Sequence, residues 1–274
     1  MANILEKYIP WFPRSRKRWN RISNNLINAF YYRLHRWSKN FIRVEYSEVN
    51  IFIKGSTTRE LYLRAWPNSA EPLTVKWLEE LEEEDILFDI GANVGVFSLI
   101  AASYARSRNR RVRVFSFEPH FATFSALQEN VIHNQLGGDI TPLNIALGKA
   151  NALNTFKLSS LESGTSGHQL ETDTGKFSLI SEFISSINVM GLSLDSFAKI
   201  FTIQPTAIKI DVDGIEEEIL RGGETVLQSP LLRTILIENN HQENPAIHEF
   251  LIARGFTEFK VADGPNMIYH KTLN

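Results

Sequence analysis

From residue 85 onward, short apolar runs alternate with longer stretches whose apolar residues recur every three or four positions. Ile86-Leu87-Phe88 leads into a glycine-containing turn and then a periodic segment carrying Val94, Leu99, Ile100 and Tyr104. Residues 112–117 form a second run, followed by Phe124, Leu127 and Val131 at helical spacing, with a helix expected from Phe121 to about Asn134. Residues 140–147, 207–213 and 234–239 are further runs. Helices are expected over 214–227, weakened at Gly222-Gly223, and over 244–254. Runs of this kind read as buried parallel strands, and the periodic segments as helices covering them. Residues 256–261 and 267–270, joined through Asp263-Gly264-Pro265, close the chain as an antiparallel hairpin, so the sheet is mixed.

The alternation breaks over residues 149–190. Phe156-Lys157-Leu158 and residues 187–190 read as short strands, and Ser193 as the cap of a following helix. Residues 159–176 are rich in Ser, Gly and Thr, which predicts a mobile loop, either a cover for a site or a plain surface excursion. Ahead of the alternation, residues 48–66 read as a hairpin turning at Lys54-Gly55-Ser56, with Leu61-Tyr62-Leu63 as its return strand. Residues 72–81 read as a helix with Val75, Leu78 and Leu81 inward. The acids of residues 79–85 form a solvated face.

Near the start, Trp19, Ile22, Leu26, Phe30, Leu34, Trp37 and Phe41 make one stripe of an amphipathic helix. Charge changes how this stripe reads. Residues 1–43 hold ten Lys and Arg against one Glu, a net of +9, within a chain whose total is −2. A basic arm thus precedes an acidic body. The stripe packs on this protein's own body or on a second copy as a homo-oligomer contact, or it meets an anionic membrane surface. No recognition motif accompanies the basic cluster, so no nucleic-acid partner is expected. The arm lacks the apolar stretch of a signal peptide, so it reads as retained and cytoplasmic, or peripheral to a membrane. No apolar run is long enough for a transmembrane helix. The chain has no cysteine, which excludes disulfides, thiolate metal sites and a cysteine nucleophile.

The chemistry collects at the strand ends. Asp89 closes the first run, Glu118 the second, Asn144 to Gly148 the third, Asp211 and Asp213 the fourth, and Glu238, Asn239 and His241 the fifth. In a doubly wound sheet these ends face the ligand. Asp-x-Gly-x-x-x-Gly over residues 89–95 differs from the Gly-x-Gly-x-x-Gly of dinucleotide sites. A carboxylate in the turn repels phosphate and attracts a sulfonium or ammonium, which favours a cationic nucleoside such as S-adenosylmethionine. Asp89 and the backbone of Gly91, Ala92, Asn93 and Gly95 would meet its amino-acid part. Glu118, followed by Pro119, would accept the ribose hydroxyls, and Ile145 and Ala146 would flank the adenine. Lys209 reads as a salt-bridging residue or as one that orients Asp211. His120, His133 and His168 read as surface residues.

Several stretches resemble the FkbM family of S-adenosylmethionine-dependent methyltransferases: residues 88–95, Phe117-Glu118-Pro119 with Leu127 and Asn130, and Asn144-Ile145-Ala146-Leu147-Gly148. Ser193-Leu194-Asp195, residues 208–214 with Glu217 and Leu220, and Ile235-Leu236-Ile237-Glu238 complete the set, and Ser163-Gly164-Thr165-Ser166 is similar to a loop of the family. The resemblance implies a Rossmann-like seven-stranded methyltransferase sheet, mostly parallel with the last strand antiparallel. It implies O-methylation of a sugar, glycan or similar hydroxylated small molecule. On this reading residues 1–45 are the basic arm, 46–84 a hairpin and helix, and 85–274 the methyltransferase domain. N-methylation, and a cofactor-binding module without turnover, remain as alternatives.

An alcohol acceptor needs a base or a metal at the moment of attack. Asp211, Asp213 and His241 are the candidate catalytic residues. A divalent cation such as Mg2+, held by Asp211, Glu238 and Asn239, is the alternative device, since hard cations take oxygen ligands.

Overall fold

The computed structural model describes residues 41–171, 183–239 and 245–272. The expectations for the basic arm, apart from Phe41 to Arg43, and for His241 lie outside these residues. Strands β1 (Phe41–Arg43) and β2 (Phe52–Lys54) form an antiparallel pair. A π-helical turn, Glu60–Arg64, follows, then α1 (Pro67–Ala70) and α2 (Pro72–Glu79). The hairpin is therefore shifted from the expected one. Leu61-Tyr62-Leu63 is helical, and Phe41 is strand, with its ring stacked on His133 at 3.7 Å.

The alternating part then runs β3 (Ile86–Ile90), α3 (Val96–Ser107), β4 (Arg113–Phe117), α4 (Phe121–His133) and β5 (Ile140–Leu143). After β5 come β6 (Ala146–Gly148), β7 (Ala152–Leu158), β8 (Gln169–Leu170), β9 (Ser185–Ser193) and α5 (Leu194–Phe201). The chain closes with β10 (Ala207–Ile210), α6 (Glu216–Arg221), α7 (Glu224–Gln228), β11 (Thr234–Glu238), α8 (Pro245–Ile252), β12 (Glu258–Val261) and β13 (Asn266–His270). Seven strands make one sheet in the order β12-β13-β11-β10-β3-β4-β5. Its middle is parallel, and β13 runs antiparallel to both β11 and β12. All five residues of β3 and all four of β10 are buried, as strands covered on both faces must be.

Two differences from the sequence reading have local causes. The third run breaks at Asn144, whose Nδ2 donates to the Glu118 and Pro119 carbonyls at 2.8 and 3.0 Å. Beyond the break, β6 leaves the main sheet for a second, four-stranded one ordered β6-β9-β7-β8. The helix over 214–227 splits at Gly222-Gly223. A Cβ on Gly222 would stand 2.2 Å from the Gly148 carbonyl, so only glycine admits that approach. Asp195 then caps α7, its two carboxylate oxygens accepting from the Thr225 and Val226 N–H groups.

The segment ahead of β3 packs into the same core. Ile51, Ile53, Val75, Trp77 and Leu78 cluster with Leu87, Leu99 and Ile100. Trp77 Nε1 donates to Thr234 Oγ1 at 2.9 Å, fixing α2 to β11. Asp263, in the β12–β13 turn, accepts from the Leu73 and Thr74 N–H groups at the start of α2. This brings Glu71 to the carboxyl ends of the strands. Among the described residues no helix is long and apolar enough to cross a membrane.

Candidate active site

The turn after β3 is built by backbone geometry. Gly91 has φ +78°, and both its N–H and that of Ala92 donate to the Phe117 carbonyl at 3.0 Å. Asn93 also takes a left-handed conformation, φ 52°, held by its Nδ2 on the Thr165 carbonyl at 3.0 Å. Its N–H donates to Glu118 Oε2 at 2.9 Å, and the His120 N–H donates to Oε1 at 2.8 Å. Glu118 is thus anchored at the end of β4, with each carboxylate oxygen holding one backbone donor. Burial outweighs these bonds and pushes its pKa up to about 7.

Two adjoining cavities open here. One is lined by Gly91, Asn93, Glu118, Pro119, Ile145 and Ala146, with Phe156, Leu170 and Ile215 on its apolar sides. The other is lined by Arg64, Glu71, Ala92, Phe97, Ser166 and Glu238. Gly91, Asn93, Asp211, Val212 and Asp213 line both. The structure therefore assembles most of the expected cofactor residues around one continuous site.

Asp89 and Gly95 line neither cavity. Strand register explains Asp89: it stands opposite Lys209 on β10 and Ser116 on β4. Its side chain points to α3, where Ser98 Oγ donates to Oδ2 at 2.5 Å. Gly95 abuts Leu127 instead; a Cβ there would fall 2.3 Å from Leu127 Cδ1.

The second cavity is acidic. Burial raises the pKa of Glu71 and Asp213, and burial with Asp211 and Asp213 alongside pushes Glu238 up to about 7. Asp211 goes the other way. Burial would raise it, but the Lys209 ammonium, 2.7 Å from Oδ2, outweighs that and holds the carboxyl below its usual range. Asp213 Oδ2 accepts from the Gly167 N–H at 2.7 Å, tying the loop to the end of β10.

The described residues give no support to the expected metal trio of Asp211, Glu238 and Asn239. Lys209 already pairs with Asp211, and Asn239 is turned to the Tyr269 hydroxyl, 3.4 Å from its Nδ2. Among the described residues, no group of three or more His, Cys, Asp or Glu side chains could hold a metal ion. Lys209 unites both roles read for it, since it salt-bridges Asp211 and fixes that side chain.

Several site residues carried no signal in the sequence. Arg64 and Glu71 come from the stretch ahead of β3. His168 and His120, read as surface residues, are buried and stacked at 4.3 Å, and His168 lines the first cavity. Burial, with His120 beside it, lowers the His168 pKa to about 4, so the ring is neutral at neutral pH. His133 is exposed, as expected. The Ser163–Ser166 stretch was the one usable clue, and its Thr165 and Ser166 do line the cavities.

A mostly parallel sheet with an antiparallel β13 inserted beside β11, and a cleft at its carboxyl edge, define the Rossmann-like methyltransferase class. The chain belongs to the methyltransferase FkbM domain family, whose model matches residues 89–258. It is 30% identical over 153 residues to the hexuronic acid methyltransferase AglP of Haloferax volcanii, covering 56% of this chain and 55% of that protein. It is 36% identical over 61 residues to the 31-O-demethyl-FK506 methyltransferase FkbM of Streptomyces tacrolimicus, 22% of each chain. The crystal structure of methyltransferase FkbM from Methylobacillus flagellatus KT matches its fold with a TM-score of 0.51 at 14% identity, over 78% of this chain and 51% of that one. The chain thus spans about half the length of AglP and of the solved structure.

Proposed function

We propose that this chain transfers a methyl group from S-adenosylmethionine to a hydroxyl of a sugar, glycan or similar polyhydroxylated molecule. The observation that carries this is the anchored Glu118 carboxylate in the first cavity, which shares Gly91, Asn93 and Asp211 with the acidic one. Each Glu118 oxygen accepts one backbone N–H and keeps a further acceptor site, so the pair suits the two ribose hydroxyls. Ile145 and Ala146 flank the apolar end, which suits adenine, and the acids beyond Gly91 suit a sulfonium and an ammonium. When bound, S-adenosylmethionine supplies an already activated methyl group.

The residues of the chain then have two tasks. They align the acceptor oxygen, which is worth several kcal/mol in such displacements, and they take its proton. Glu238 fits the second task. It lines the acidic cavity and its pKa, about 7, lies where a general base works best. Asp211, kept anionic by Lys209, and Glu71 face the same space and can accept acceptor hydroxyls. A hydroxyl-rich acceptor is supported by these carboxylates and by the similarity to a hexuronic acid methyltransferase.

The test is transfer of labelled methyl groups from S-adenosylmethionine to a panel of neutral sugars, uronic-acid glycans and amines. Label on a sugar hydroxyl is the expected result. Label on amines alone would replace O- with N-methylation. Cofactor binding with no transfer would make the chain a binding module.

A further inference from the structure

The acidic cavity has a single cation in its lining, Arg64. Arg64 closes the π-helical turn, ahead of the residues the family domain spans. It is the one Lys or Arg among the residues lining either cavity, and among the described residues it makes no ion pair. Lys209 lies behind the cavity, 1% exposed, with its ammonium committed to Asp211.

The position of Arg64 is set by a built support. Its Nε donates to the Gly164 carbonyl at 3.2 Å. That stretch of loop is latched to the turn by Glu60, which is fully buried. Glu60 accepts from Ser163 Oγ at 2.5 Å, and from the Ser56 and Thr57 N–H groups at 2.6 and 2.9 Å. Thr57 Oγ1 returns a bond to the Ser163 carbonyl at 3.1 Å. With Nε spent on Gly164, the two terminal nitrogens remain as the fork that suits a carboxylate.

A methionine end is zwitterionic. Glu71, Asp211, Asp213 and Glu238 attract its ammonium and the sulfonium, but they repel its carboxylate. Placing that carboxylate against the acids would cost affinity; placing it at Arg64, which lines the same cavity as Ala92, Asn93 and Val94, gains a charge-assisted pair. We propose that Arg64 binds the carboxylate of the cofactor's methionine moiety, so that a residue outside the matched family domain completes the cofactor site. This rests on the cofactor reading above.

The test is calorimetric titration of the full chain, wild type, R64Q and R64K, with S-adenosylhomocysteine and with 5′-methylthioadenosine, which lacks the amino-acid end. R64Q should weaken S-adenosylhomocysteine by about 10- to 100-fold, with R64K recovering part of the loss. Binding of 5′-methylthioadenosine should stay unchanged, which shows the nucleoside end is intact. Equal losses for both ligands, or none for either, would overturn the assignment. So would intact cofactor affinity with weakened binding of a uronic-acid acceptor, which would give Arg64 to the acceptor. A wild-type chain that binds neither ligand would sink the cofactor reading itself.

Discussion

Lys209 Nζ donates to Asp211 Oδ2 at 2.7 Å while standing 4.0 Å from Asp89 Oδ1. The strand ladder makes this row: Lys209 pairs with Asp89 in register, and Asp89 pairs with Ser116. Burial disfavours the ammonium, yet Asp211, Asp89 and Glu71 outweigh it and hold its pKa above the usual lysine value. Lys209→Met would leave a carboxylate buried without its counter-charge. The expected cost is about 3 kcal/mol or more, read from the urea unfolding midpoint. Adding Asp89→Asn should recover part of it. Wild-type stability in the single variant would show that the ammonium does not hold the row together.

Gly91→Ala addresses the turn. The residue sits at φ +78°, and a Cβ would fall 2.0 Å from the Asp211 carbonyl oxygen and 3.0 Å from Val212 Cγ1. Backbone strain and overpacking together should cost about 2–4 kcal/mol. A melting temperature equal to wild type would mean that the turn relaxes away from β10.

Glu118→Ala should weaken S-adenosylhomocysteine binding by about 1.5–3 kcal/mol, the scale of hydrogen bonds to a charged group. Calorimetry reads this directly. Unchanged affinity would place the ribose elsewhere.

Periodicity was enough to mark the strands of the main sheet along the chain because each apolar run is bounded by its own turn. It could not give the break at Asn144, which depends on a side chain reaching the carbonyls of Glu118 and Pro119, 26 and 25 residues earlier. Nor could it aim Asp89. Position put that carboxylate at a strand end, but pairing register turned it toward Ser98 and away from the cavity. His168 sits in a stretch whose Ser, Gly and Thr read as exposed. Its burial comes from His120 and from Thr165 Oγ1, 2.8 Å from its Nε2. Arg64 and Glu71 belong to no motif: Glu71 reaches the site through the packing of α2 on β11 and the β12–β13 turn, and Arg64 through its bond to the Gly164 carbonyl.

Glu216 supplies a stability signature away from both cavities' linings. It is buried, with Oε1 accepting from the Gly214 N–H at 3.1 Å, and burial pushes its pKa from 4.5 to about 7. Between those values the folded chain holds a proton that the unfolded chain has released. The protonated form therefore stabilises the fold fully below about pH 4.5, and this contribution is lost as pH rises through about 7. Glu118 and Glu238 act in the same direction. The ligand-free protein should melt at a lower temperature at pH 8 than at pH 6. Glu216→Gln should raise the pH 8 value and leave that at pH 4.5 nearly unchanged. A variant with the wild-type difference between pH 6 and pH 8 would contradict this.

Glu238 as general base gives the sharpest kinetic expectation. Its pKa of about 7 means that the rate should climb with pH below 7 and level off above it. Glu118 titrates in the same range, so the two must be separated. Glu118 acts on cofactor binding, and its titration drops out of kcat once the cofactor is saturating. The inflection should therefore persist in kcat at saturating cofactor and acceptor, and vanish in Glu238→Gln. That variant should lose about 10²- to 10⁴-fold in kcat at saturating cofactor, the usual contribution of a positioned base. An unchanged inflection in Glu238→Gln would assign the proton to another group; a raised acceptor KM with kcat intact would leave Glu238 as a binding residue only.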